Sequence, residues 1–147
     1  MTFIDDVKAV LATDDVLITL LTGGFYSGSE VREISRQNTP AAFDENQEIM
    51  PCLLVVETIE YRSGPYRRSM LTNFGVYVYQ RAGYDVIKQA MDRTFDLLHE
   101  AKIGEGTWQV LFANSVLNQD DPALGCSMET MFFTAARMRP VMEIEGS

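Results

Sequence analysis

The stretch MLTNFGVYVYQ, residues 70–80, decides the fold. Met70, Thr72, Phe74, Val76 and Val78 fall on one face, and Leu71, Asn73, Gly75, Tyr77 and Tyr79 on the other. A period of two in β-branched and aromatic residues specifies a strand. It is expected as the return arm, over 66–80, of a hairpin whose first arm is CLLVVETIEY, 52–61. Arg62, Ser63, Gly64 and Pro65 supply the turn between the two arms.

Beyond this hairpin, Gly83 ends the strand and the period changes. Ile87, Ala90, Met91, Thr94, Phe95 and Leu98 recur at i, i+3, i+4, i+7 spacing. This predicts a helix over 84–102, with Lys88, Asp92 and Asp96 facing water. A stripe of that kind places Phe95 in the core, so that Phe95→Ala costs about 3–5 kcal/mol. Gly104 and Gly106 close the helix, and a strand is expected over 108–117. Residues 118–122, NQDDP, read as a turn. A long last strand spans 126–139, with Phe132 on one face and Phe133 on the other.

Upstream, Thr2 caps a first helix carrying Ile4, Val7, Val10 and Leu11. The run Thr13, Asp14, Asp15 interrupts it and caps a second, carrying Val16, Leu17, Leu20 and Leu21, which Gly23 and Gly24 stop. Residues 30–50 are a long loop whose Ile34, Ala41, Ala42 and Phe43 are its natural anchors. Residues 140–147 form a polar tail. The expected architecture is a single α+β domain over 1–147. It has an antiparallel or mixed sheet of about four to five strands with two main helices packed on one face. Large residues on both faces of the last strand call for a second cover, and another chain is the economical one.

Composition bounds the function. The 147 residues carry 12 Lys+Arg against 21 Asp+Glu, a net charge of −9. That balance speaks against a generic nucleic-acid binder or an anionic membrane as partner. No apolar window reaches the roughly 18 residues of a membrane span, and the acidic start MTFIDDVKAV is not a secretory signal. Charge is segregated: acid concentrates in 1–21, 30–50 and 105–129, whereas 57–68 is net positive.

No catalytic set and no metal site are expected. His99 sits where a helix-terminal histidine is usual, and one His with two distant cysteines, Cys52 and Cys126, does not make a zinc pattern. Asp120 and Asp121 lack calcium-loop spacing and read as turn residues. The glycines at 23, 24 and 28 lack the Lys-Ser/Thr pair of a phosphate-binding loop. Tyr61, Tyr66, Arg67 and Arg68 mix aromatic and basic groups on the hairpin turn, an arrangement that also suits a nucleic-acid backbone. No cofactor is expected.

Some segments carry a family likeness. LLTGGFY (20–26), ISRQNTPAAFD (34–44), PCLLV (51–55), a strand ending VYVYQ, the pair Gly83-Tyr84 opening a helix, and LLHE at its end occur in this order. Over roughly 16–136 the chain resembles tail terminator proteins of long-tailed bacteriophages, within the wider set of tail completion and head–tail joining proteins. The resemblance implies a non-enzymatic protomer that assembles into a ring, usually a hexamer. Such a ring caps the tail tube, ends its polymerisation and presents a surface to the head connector. It implies partners in the tail tube protein and the head–tail connector protein, DNA passing through the lumen without specific binding, no membrane, and residence at the head-proximal end of the virion tail after assembly in the host cytoplasm. Part of the acid then lines the lumen. A head–tail connector or neck adaptor, and a small cytosolic enzyme using Cys126 or His99, are the other readings.

A closed ring needs contacts between unlike surfaces. The expected contact elements are the 34–43 loop, with Ile34, Arg36, Pro40 and Phe43, and the hairpin turn, with Arg62, Arg67 and Arg68. Asp120, Asp121 or Glu45 of a neighbour is their expected acidic counterpart.

Overall fold

The computed structural model describes residues 2–139. The polar tail expected over 140–147 lies outside the described residues. Three helices, α1 (Phe3–Ala12), α2 (Asp15–Leu20) and α3 (Asp85–Leu98), accompany five strands: β1 (Phe25–Ser27), β2 (Cys52–Arg62), β3 (Ser69–Gln80), β4 (Thr107–Asp121) and β5 (Cys126–Met138). The sheet order is β1-β2-β3-β5-β4. All pairings are antiparallel except β1 with β2, so the sheet is mixed and the class is α+β.

The capping at the N-terminus is as the residues predict. The Thr2 hydroxyl accepts from the Asp5 N–H while Asp5 reaches back to the Thr2 N–H, a reciprocal capping box. Asp14 accepts from the Leu17 N–H at 3.1 Å and starts α2. The short strand β1 has no signal of its own. It follows from Gly23, whose N–H donates to Pro51 O at 2.7 Å, and from Leu53 N–H, which donates to Gly24 O at 3.1 Å. A Cβ at Gly23 would lie 2.9 Å from both Met50 O and Pro51 O, so only glycine lets the two chains approach there.

The helix face of the sheet holds the main core. Phe74 and Phe133 stack at 5.4 Å between their centroids, and Phe3 meets Phe74 edge-on at 5.6 Å. Val7, Leu11, Leu17, Ile87 and Leu98 from the helices close over them. The opposite face carries a second cluster. Ile34, Ala42, Phe43 and Ile49 of the long loop pack on Cys52, Leu54, Tyr79 and Cys126. Ala41, expected as an anchor, is exposed, because in the 3₁₀ turn Pro40–Ala42 it is Ala42 that points inward. The second cover is therefore built from the same chain, and among the described residues it spans one half of the face.

The last helix stops at Leu98, not Lys102, because 99–101 leaves to pair with β4. His99 Nδ1 accepts from the Phe112 N–H at 3.1 Å, and Glu100 N–H donates to Val110 O at 2.7 Å, with Glu100 at φ 64°. Phe95 is not buried but 36% exposed, since only the edge strand β4 lies beyond it. It stacks on His99 and meets Phe112 edge-on. Lys88 does not face water alone but pairs with the fully buried Glu129. The return arm of the hairpin begins at Ser69. The strand expected over 108–117 runs on to Asp121 through the segment read as a turn, and the turn lies at 122–125.

Candidate functional site

The antiparallel register puts the two hairpin turns at opposite ends of the sheet. The β2–β3 turn lies at the end where β5 finishes, and the β4–β5 turn at the end where β2 begins. Each end has its own charge.

The first end is basic. The turn is built by Gly64 at φ 69° and closed by Ser63 N–H to Ser69 O at 2.8 Å. Arg139 N–H donates to Arg68 O at 2.7 Å, which braces the turn against the end of β5. Arg137 and Arg139 both pair with Glu60, and the Arg137 guanidinium lies 4.7 Å over the Phe3 ring. Among the described residues Arg62 and Arg67 make no ion pair, and both are exposed. Tyr66, at the tip, is 73% exposed.

The second end is acidic. Asp121 accepts from the Leu124 N–H at 3.1 Å within its own turn, and the Tyr84 hydroxyl reaches Asp120 at 3.4 Å. The loop brings Asp44, Glu45 and Glu48 to the same end, with Glu48 paired to Arg81. Arg36 belongs here, not with the hairpin arginines. Its guanidinium lies 5.0 Å over the Phe43 ring and its Nε donates to Gln47 O at 2.9 Å. Ile34 and Phe43 are buried against the sheet, whereas Pro40 is exposed. The sequence-chosen residues thus form two separate groups, one at each end.

Among the described residues two apolar surfaces stay uncovered. On the loop-side face, the half beyond the loop shows Ile59, Tyr61, Leu111 and Met138, and the edge strand adds Val116, level with Leu54, each at least 40% exposed. On the helix side, α2 and α3 flank a shallow, open groove of about 630 Å³, in which Val16 and Leu20 lie among polar and charged side chains. Helical spacing marks Val16 as core, yet it is 48% exposed, because the short α2 packs on α3 and α1 with Leu17 inward and leaves Val16 outside.

The residues weighed for chemistry do not assemble. Cys126 lies in the loop-side cluster and His99 ends the helix on the other face, so the sheet separates them. Burial pushes the Cys126 thiol up to about 12 and also raises Cys52, which keeps both protonated and poorly nucleophilic at neutral pH. The two thiols share one face but stand on β2 and β5, with β3 between them. Two strand spacings, about 9.5 Å, exceed the roughly 7 Å limit between Cα atoms for a disulfide. No group of three or more His, Cys, Asp or Glu able to hold a metal occurs among the described residues.

No family model and no curated protein matches the sequence. Among solved structures, the chain is similar to one from the structure described as "Virion of native gene transfer agent (GTA) particle". The TM-score is 0.64 and the identity 17%, over 91% of this chain and 92% of that one. The two share a fold over nearly their full lengths.

Proposed function

We propose that the protein is a structural component of a phage-like virion, a ring-forming tail terminator that caps the tail tube and joins it to the head. The fold likeness to a chain of a gene transfer agent virion, over nine-tenths of both chains, carries this reading. The oppositely charged sheet ends support it, because subunits in a ring meet through unlike surfaces. The basic end, with Arg62, Arg67 and Arg68, and the exposed part of the loop, with Arg36 and Pro40, are the contact elements. Asp120, Asp121 and Glu45 are available as acidic counterparts. The ring, of six copies, contacts the tail tube protein on one side and the head–tail connector protein on the other. It lets DNA through an acid-lined lumen that repels the duplex instead of holding it.

Light scattering on the purified chain, with electron microscopy, tests ring formation; a chain that stays monomeric at all concentrations contradicts it. Deleting the gene from its particle tests the position. Over-long tails are expected. Filled heads beside detached tails of normal length would assign the protein to the connector instead.

A further inference from the structure

We propose that the 62–69 hairpin tip of one copy docks into the α2–α3 groove of the next. The inference rests on the ring reading above, and puts the groove in place of Asp120, Asp121 and Glu45 as the acceptor of the hairpin tip.

The tip has the character of a plug. It stands at the end of two long paired strands and presents Tyr66, with Arg62 and Arg67 at its flanks. Tyrosine and arginine are the residue types that most often dominate an interface, since each combines a large contact area with a polar head. A tyrosine 73% exposed keeps most of its ring in water in the lone subunit, and burial against apolar surface is favourable.

The groove has the character of a socket. Val16 and Leu20 from α2 form its apolar part, and Asp15, Asp92 and Asp96 form its rim. It is open along its length, so a protruding loop tip of another copy reaches it without any rearrangement. The one cation lining it is already committed. Arg93 donates to both carboxylate oxygens of Asp14, at 3.0 and 2.5 Å. Arg93 also interacts with the charge of Asp96, whereas among the described residues no ion pair engages Asp15 or Asp92. The groove therefore sets carboxylates beside an apolar patch, the complement of a tip that sets guanidinium groups beside an aromatic ring. Opposite potentials of this kind orient the encounter, and the apolar contact holds it.

The acidic β4–β5 turn is the competing acceptor. It offers carboxylates, but Asp121 is already engaged by the Leu124 N–H. The groove adds the apolar patch of Val16 and Leu20 on which the Tyr66 ring can be buried. Plug and socket are different surfaces of one chain, so the contact repeats head to tail and closes into a ring when the rotation allows.

The test uses the full chain and measures association against concentration by mass photometry. Tyr66→Ala, the pair Arg62→Glu with Arg67→Glu, and the pair Asp92→Arg with Asp96→Arg are each expected to weaken association at least about 30-fold. All five positions are exposed, and melting curves verify that each variant stays folded. Mixing the two charge-reversed chains is expected to restore assembly, because each tip again meets a socket of opposite sign. Wild-type association in the groove variants, or no recovery on mixing, overturns the inference. Loss of association on reversing Asp120 and Asp121, with the groove variants unaffected, also overturns it and leaves the ring intact. A wild-type chain that never associates removes the ring and this contact together.

Discussion

A side-chain oxygen of Glu129 accepts the backbone N–H of Asn118 at 3.0 Å, and the same oxygen takes the ammonium of Lys88. Asn118 is in the left-handed region at φ 52°, inside the irregular register of β4 between Val116 and Gln119. Glu129 is fully buried on β5. The carboxylate therefore pins a bulge, and the bulge lets β4 continue to Asp121 where a run of turn-forming residues would otherwise end it.

Lys88→Met leaves that carboxylate buried with one partner fewer. Breaking a buried pair by removing one member is strongly destabilising, and the half-exposed Lys88 moderates the effect to about 2–3 kcal/mol. Thermal unfolding measures this, and hydrogen exchange at the Asn118 amide is expected to quicken. An unchanged melting temperature would mean that water replaces the ammonium.

Two aspartates set an acid limit. Hydrogen bonds from Ser29 and then Thr2 hold the Asp5 carboxyl well below the usual range, and the Arg93 guanidinium followed by the Leu17 N–H holds Asp14 below it. A carboxylate depressed in the folded state stabilises fully above its unfolded pKa, near 4, and loses this as pH falls towards the folded value. Stability is therefore expected to be flat from neutral pH to about 5 and to decline below about 4. Asp14→Asn with Asp5→Asn is expected to flatten the decline. An equally steep decline in the double variant would place the acid sensitivity elsewhere.

The two phenylalanines that meet Phe112, Phe133 and Phe95, should differ. Phe133 is fully buried in the Phe74 stack, and Phe133→Ala is expected to cost about 3–5 kcal/mol. Phe95→Ala removes a ring already 36% exposed and is expected to cost under about 2 kcal/mol. Denaturant unfolding of both variants decides whether the helix period or the edge position governs Phe95.

Gly23→Ala forces a methyl against two carbonyl oxygens at 2.9 Å, both backbone and unable to swing aside. The expected cost is about 1–3 kcal/mol, with loss of exchange protection at Gly23 and Leu53, the amides that join the approach to β1 with β2. Normal protection at those amides would show that the two chains separate without penalty.

Phe43→Ala tests the loop as a cover. Phe43 and Ile49 bridge to each other and rest on the Cys52–Tyr79–Cys126 cluster. Faster proteolysis within 31–50 is expected, with the helix-side core intact by circular dichroism. Unchanged cleavage would mean that Ile34 and Ala42 hold the loop alone.

Much of the fold is legible in the residues because it is local. Alternation over 70–80 and 126–139 identifies two central strands, the helical stripe through Ile87 and Leu98 locates α3, and Thr2 and Asp14 announce the helix starts. The arginines of the hairpin turn are visible as a charged run. What the sequence leaves open depends on neighbours remote in the chain. Phe95 and Val16 read as core by period, and only the narrow edge strand and the short α2 leave them exposed. Asn118 reads as a turn residue, and only a buried carboxylate eleven positions later keeps it in a strand. Arg36 reads as one of a basic group, and only the sheet shows that it stands at the acidic end. Periodicity reports which side chains share a face, but the tertiary packing decides whether that face meets another element or water.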